Sequence, residues 1–144
     1  MVSNSQGRGL ALLRIFLGVF FLFEAIGKAG WLLDSTPLVK QLTGWLEGAG
    51  PYNRWYLETV CLPGAAVFAR VVLFGEASTA VALILGAYTR VAAVLALLMV
   101  LNFHVASGAI FTMSFLSSGY GLPVVGGLLA LAIGASALPW SLKK

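Results

Sequence analysis

Long apolar runs alternate along this chain with short stretches rich in glycine, proline and polar residues. Four runs reach about 20 residues, the length a helix needs to cross a hydrocarbon core. They cover Gly9–Lys28, Gly64–Ala87, Arg90–Gly108 and Gly119–Leu138. Between them lie the Gly30–Pro63 connection, the turn "GAYTR" and the segment "SSGYGLP". Pro123 falls in the first turn of the fourth run, where its missing N–H costs little.

The first connection has a pattern of its own, over about residues 35–62. In "STPLVKQLTGWLEGAG", Ser35 or Thr36 is a candidate N-cap, Pro37 suits the first helical turn, and glycine stops the helix. Leu38, Leu42, Trp45, Leu46 and Ala49 recur at helical spacing, with Lys40, Gln41 and Glu47 between them. Tyr52, Trp55 and Tyr56 follow, and aromatics at this density suit the headgroup zone of a bilayer. The pattern predicts one or two short interfacial helices capping one face. The expected fold is therefore all-α: an integral membrane four-helix bundle, one domain over residues 1–144.

Composition supports the membrane assignment. Hydrophobic residues make up 60% of the chain and charged residues 10%, with a mean hydropathy of +0.95. A soluble domain carries about a quarter charged residues, which it needs to cover its surface. The net charge of +4 is spread without a basic, aromatic-interleaved cluster, so the partner it implies is a lipid bilayer and not nucleic acid. Arg8, Arg14, Arg90, Lys143 and Lys144 fall at one end of the expected bundle, which places both termini in the cytoplasm. Arg8 followed by an apolar run resembles a signal sequence, but no small-x-small cleavage site follows, so the run reads as an uncleaved first helix. Cys61 is the single cysteine; dithiol chemistry within the chain is excluded.

Polar side chains inside apolar helices cost roughly 2.5–3.5 kcal/mol each on insertion scales and therefore face protein, cavity or water. Here they are Arg14, Glu24 and Lys28 on the first helix, Arg70 and Glu76 on the second, and Asn102 and His104 on the third. At 100° per residue, Arg14, Phe21, Glu24 and Lys28 share an arc of about 80°. Depth arithmetic sets Glu24 opposite Arg70 as an ion pair, brings Arg14 towards Glu76, and lets Lys28 reach the outer surface; Glu24 and Lys28, one turn apart, can also pair with each other. The expected cluster is Glu24, Lys28, Arg70 and His104. It is either interhelical pairing that specifies the bundle or a pocket for a quinone head, an anion or protons. His104 alone could act as an axial ligand to haem or a chlorin, but a core histidine fits better because such sites usually take two ligands. No metal-ligand set, nucleophile triad or phosphate loop is present. Gly126, Ala130 and Gly134, like Ser78, Ala82 and Gly86, form small-residue stripes that let helices pack closely.

The stretches "LLRIFLGVFFLFEAIGKAG" and "FARVVLFGEASTAVALILGAYTRVAAVLALLM" resemble the DoxX/DoxD family of small bacterial four-helix membrane proteins. The likeness rests on Arg14, Leu17 and Gly18, on Gly27 and Lys28, on Gly75 and Glu76, and on Leu85, Gly86, Thr89 and Arg90. The ending "GASALPWSLKK" departs from the Gly-Pro-Gly segment of many relatives. The resemblance implies the cytoplasmic (inner) membrane of a bacterium and association with other membrane subunits of a redox complex. It also marks Arg14, Gly18, Glu76 and Arg90 as constrained positions. Three functions follow: an accessory subunit of an electron-transfer complex, a quinone-binding subunit of a thiosulfate:quinone oxidoreductase-type enzyme, or a small transporter.

Overall fold

The computed structural model describes residues 4–110, 112–135 and 137–142. Among them there are helices and turns but no strands. Helix α1 spans Asn4–Gly27, α2 Thr36–Leu46, α3 Pro51–Tyr56, α4 Ala65–Leu85, α5 Thr89–Ala106, α6 Met113–Ser117 and α7 Leu122–Gly134. A short 3-10 turn, Ala29–Leu32, follows α1, and a π-turn, Leu57–Cys61, continues α3. Helix α1 packs on α4, α4 on α5, α5 on α7, and α7 returns to α1, so these four apolar helices close a ring.

The helices α1, α4 and α5 are long and apolar enough to cross a membrane, whereas α7 is a shorter apolar helix. With 13 residues it is about 20 Å long, against a hydrocarbon core of about 30 Å. The fourth run is thus shorter than the Gly119–Leu138 expected from hydropathy. Gly121 precedes it, where a Cβ would collide with the Phe115 carbonyl oxygen. Beyond Gly134 the chain folds back: the Leu142 amide donates to the Leu85 carbonyl at 3.0 Å, at the end of α4.

Local chemistry explains the other boundaries. At the end of α4, Gly86 adopts φ 71°, and the Ala87 amide donates to the Ala82 carbonyl at 3.0 Å, a Schellman closure. At the start of α2 the Thr36 amide donates to Asp34 Oδ1 at 2.8 Å. Ser35 holds the N-cap position, as expected, but its side chain makes no capping bond; Asp34 supplies the acceptor instead, and the hydrogen bonds from Thr36 hold its carboxyl below the usual range. The π-turn precedes Pro63, which has no N–H for the regular ladder; the Leu62 amide donates instead to Leu57 O at 2.8 Å.

Two buried clusters result. One lies inside the helix ring, around Leu17, Phe21, Ala80, Leu83, Ala93 and Leu128. The other lies beneath the interfacial segment, around Trp31, Leu38, Leu42, Leu57, Cys61 and Ala69. We refer to this as the capped end of the bundle, and to the end carrying both termini as the terminal end. Outside, large apolar side chains stand open, Phe16 at 72% and Ile133 at 76% exposure. A water-exposed belt of that kind is unfavourable, and a surrounding bilayer accounts for it.

Candidate functional site

Helix α1 brings Glu24 and Lys28 to one face a single turn apart, and α4 brings Glu76 against them. Lys28 Nζ bridges both carboxylates, at 2.6 Å from Glu24 Oε2 and 2.9 Å from Glu76 Oε1. Side chains on a helix lean towards its N-terminus. Lys28 therefore leans down α1 away from the capped end, and Glu76, on the antiparallel α4, leans up towards it. They meet although their Cα positions lie at different depths. The Lys28 ammonium also stands 5.8 Å from the centre of the Trp31 ring, close enough for cation–π attraction.

This arrangement replaces the expected Glu24–Arg70 pair. Arg70 leans the same way as Glu76, and its Nη1 donates to the Ala66 carbonyl one turn earlier on its own helix. Among the described residues it makes no ion pair with Glu24. Lys28 does not snorkel outward, because the buried Glu76 and partly buried Glu24 carboxylates hold it inside.

One atom of the group is left over. Glu76 is 5% exposed, and its Oε2 has no hydrogen-bond partner among the described residues. A buried carboxylate oxygen without a donor is costly, so such an atom marks a place where a proton, water or ligand belongs.

Glu24, Lys28 and Glu76 line a cavity of about 650 Å³ between α1, α2, α4, α5 and the α6–α7 region. That volume is in the range of small-molecule sites. Phe20, Phe21, Trp45, Phe103 and Tyr120 supply aromatic walls, while Gln41, Ser107, Ser114 and Ser118 add polar groups. His104 also faces the cavity. Its Nε2 donates to the Tyr120 carbonyl at 3.0 Å, and its ring meets Phe115 edge-on at 4.8 Å. Nε2 therefore serves to tie α5 to the α6–α7 turn. Among the described residues, no group of three His, Cys, Asp or Glu side chains is placed to hold a metal ion.

The sequence of the DoxX family, taken as a profile, matches residues 9–116. The chain belongs to the DoxX family. No characterised protein and no solved structure matches it. In this DoxX protein the matched region holds all three charged residues of the site. Ser118, Tyr120 and Val124, which close the cavity, lie beyond it.

Other motif positions serve the terminal end of the bundle. Arg14 is fully buried. It does not approach Glu76: Nη1 donates to Leu83 O at 2.9 Å and Nη2 to Trp140 O at 2.8 Å. It thus satisfies the open carbonyl end of α4 and pins the returning C-terminal segment. Arg90 does the same for α7, donating to Ile133 O at 3.0 Å. Gly18 allows α1 to touch α4, since a Cβ there would lie 2.9 Å from the Ile84 backbone nitrogen. Of the expected stripe on α7, Gly134 makes the close approach but Gly126 does not, and Gly127 takes its place. A Cβ on Gly126 would meet nothing, whereas one on Gly127 would lie 2.9 Å from Leu17 Cδ1 and one on Gly134 3.0 Å from Leu10 Cδ1.

Glu76, expected only as a constrained position of the resemblance, stands in the polar cluster in place of Arg70. The lean of side chains on antiparallel helices is the signal that could have found it. Asn102, two positions from His104, takes no part in this cavity and instead accepts from the Tyr56 hydroxyl at 2.7 Å.

Proposed function

We propose that this DoxX protein is a membrane subunit that binds the polar head of a lipid-soluble carrier of the quinone class and works within a larger electron-transfer assembly. The unpartnered Glu76 oxygen, buried on a cavity of ligand size, is the observation that carries the reading. A hydroxyl-bearing ring such as a hydroquinone would donate to Glu76 Oε2 and pack against Phe21 and Tyr120. The Lys28 bridge would hold both carboxylates in place for it. The bundle lies in the cytoplasmic membrane with both termini inside, so the cavity is near the outer surface. The reading as an accessory subunit shares this picture, with the site as its point of contact with the assembly's carrier.

The test is equilibrium binding of a hydroquinone analogue to the purified protein in lipid nanodiscs. Glu76→Gln should weaken binding about tenfold or more, the worth of a hydrogen bond to a charged acceptor. Arg70→Ala should leave it unchanged. Equal binding by wild type and Glu76→Gln would remove the head-site assignment. Purification in mild detergent addresses the assembly separately: redox subunits should co-elute, and a chain that elutes alone would count against the association.

A further inference from the structure

A second cavity, of about 390 Å³, lies between α4 and α5 under the interfacial cap. Its lining is almost wholly apolar, with Phe68, Val72, Leu95 and Met99 among the walls. Two of the residues that line it, Val71 and Leu95, are 57% and 60% exposed on the outside of the bundle. That places its mouth on the lipid-facing surface. The two cavities share two lining residues, Trp45 of α2 and Phe103 of α5. Their rings meet edge-on with centres 6.1 Å apart, so this aromatic pair lies on the border of the polar chamber and the apolar one. Gly75 keeps the α4 wall thin, since a Cβ there would lie 3.1 Å from Met99 Sδ.

We infer that the apolar chamber holds the alkyl tail of the ligand whose head occupies the Glu76 cavity, and that the ligand arrives from the bilayer between α4 and α5, past the Trp45–Phe103 pair. This rests on the head-binding reading above. The chamber is too apolar to stabilise a polar head, and it opens towards lipid while adjoining the polar site. A tail gains little hydrophobic free energy on leaving lipid for such a chamber, because both surroundings are apolar. What the chamber provides is direction: it fixes the tail so that the head meets Glu76.

The experiment uses the full chain in lipid nanodiscs and two photoreactive probes carrying a diazirine at the chain end. One is a plain decyl chain; the other is a decyl hydroquinone. Both should label the walls formed by Val71, Leu95 or Met99 saturably, as located by peptide mass spectrometry. Unlabelled decyl hydroquinone should suppress labelling by the plain chain about tenfold when added at about ten times its Kd, and tail-less hydroquinone should not. The double substitution Val71→Trp with Leu95→Trp, placed at the exposed mouth, should abolish labelling at an unchanged Tm. Labelling spread without saturation over lipid-facing residues such as Phe16 and Phe74 would overturn the chamber. So would saturable labelling that decyl hydroquinone fails to displace. Saturable chamber labelling by decyl hydroquinone that is indifferent to Glu76→Gln would keep the tail site and refute the head assignment.

Discussion

Arg14 shows how one side chain can be both expensive and indispensable. A buried guanidinium is tolerated in this bundle because two of its nitrogens reach backbone carbonyls, Leu83 O at 2.9 Å and Trp140 O at 2.8 Å. Removing it would strand those acceptors and empty the space beside Gly86. Arg14→Ala should cost about 3 kcal/mol in reversible unfolding from detergent micelles. Arg14→Lys should recover only part, since a single ammonium cannot span both carbonyls. Wild-type stability in Arg14→Ala would show that the α4 end is held otherwise. Cys61 makes the opposite case, of a group silenced by its surroundings. It is buried beneath the cap, and burial pushes its thiol above the usual range. Maleimide should modify it at least about tenfold more slowly at neutral pH in the folded protein than in the denatured one. Rapid modification in the folded state would mean that the cap opens readily.

At the scale of elements, the helices follow from composition and punctuation, while their rotation about their own axes does not. Hydropathy marks α1, α4 and α5 because each is apolar on nearly every side, and for the same reason it gives little indication of which side faces inward. The α7 stripe shows the consequence. Gly126, Ala130 and Gly134 satisfy the spacing rule, yet the face that meets α1 carries Gly127 and Gly134. Gly127→Val should destabilise the bundle by about 1–3 kcal/mol through overpacking against Leu17. Gly126→Val should stay within about 0.5 kcal/mol of wild type. A larger effect at Gly126 in the isolated chain would reverse the assignment of faces. The interfacial helix α2 was more legible, because Leu38 and Leu42 are its inward residues and charged neighbours fix its rotation.

For the molecule as a whole, the asymmetry of basic residues predicts orientation. Arg8 and Arg90 lie at the terminal end, which should face the cytoplasm. Green fluorescent protein fused to either terminus should fluoresce. A cysteine placed at Leu33, which is 88% exposed at the capped end, should react with an impermeant maleimide added to intact cells. The reverse pattern would invert the topology and move the Glu76 cavity to the cytoplasmic half. The membrane class, the helical content and the presence of intramembrane charges were all readable along the chain, because hydropathy and spacing are properties of consecutive residues. Glu24 with Lys28, one turn apart, was readable from spacing; which charges meet across helices was not. Lys28 with Glu76 rather than Glu24 with Arg70, and Arg14 on the Leu83 carbonyl rather than near Glu76, depend on how antiparallel helices are rotated and on the lean of each side chain towards its own N-terminus. Those angles exist only once the helices pack, and they are what leave Glu76, a residue lining the cavity, with one buried oxygen that has no hydrogen-bond partner among the described residues.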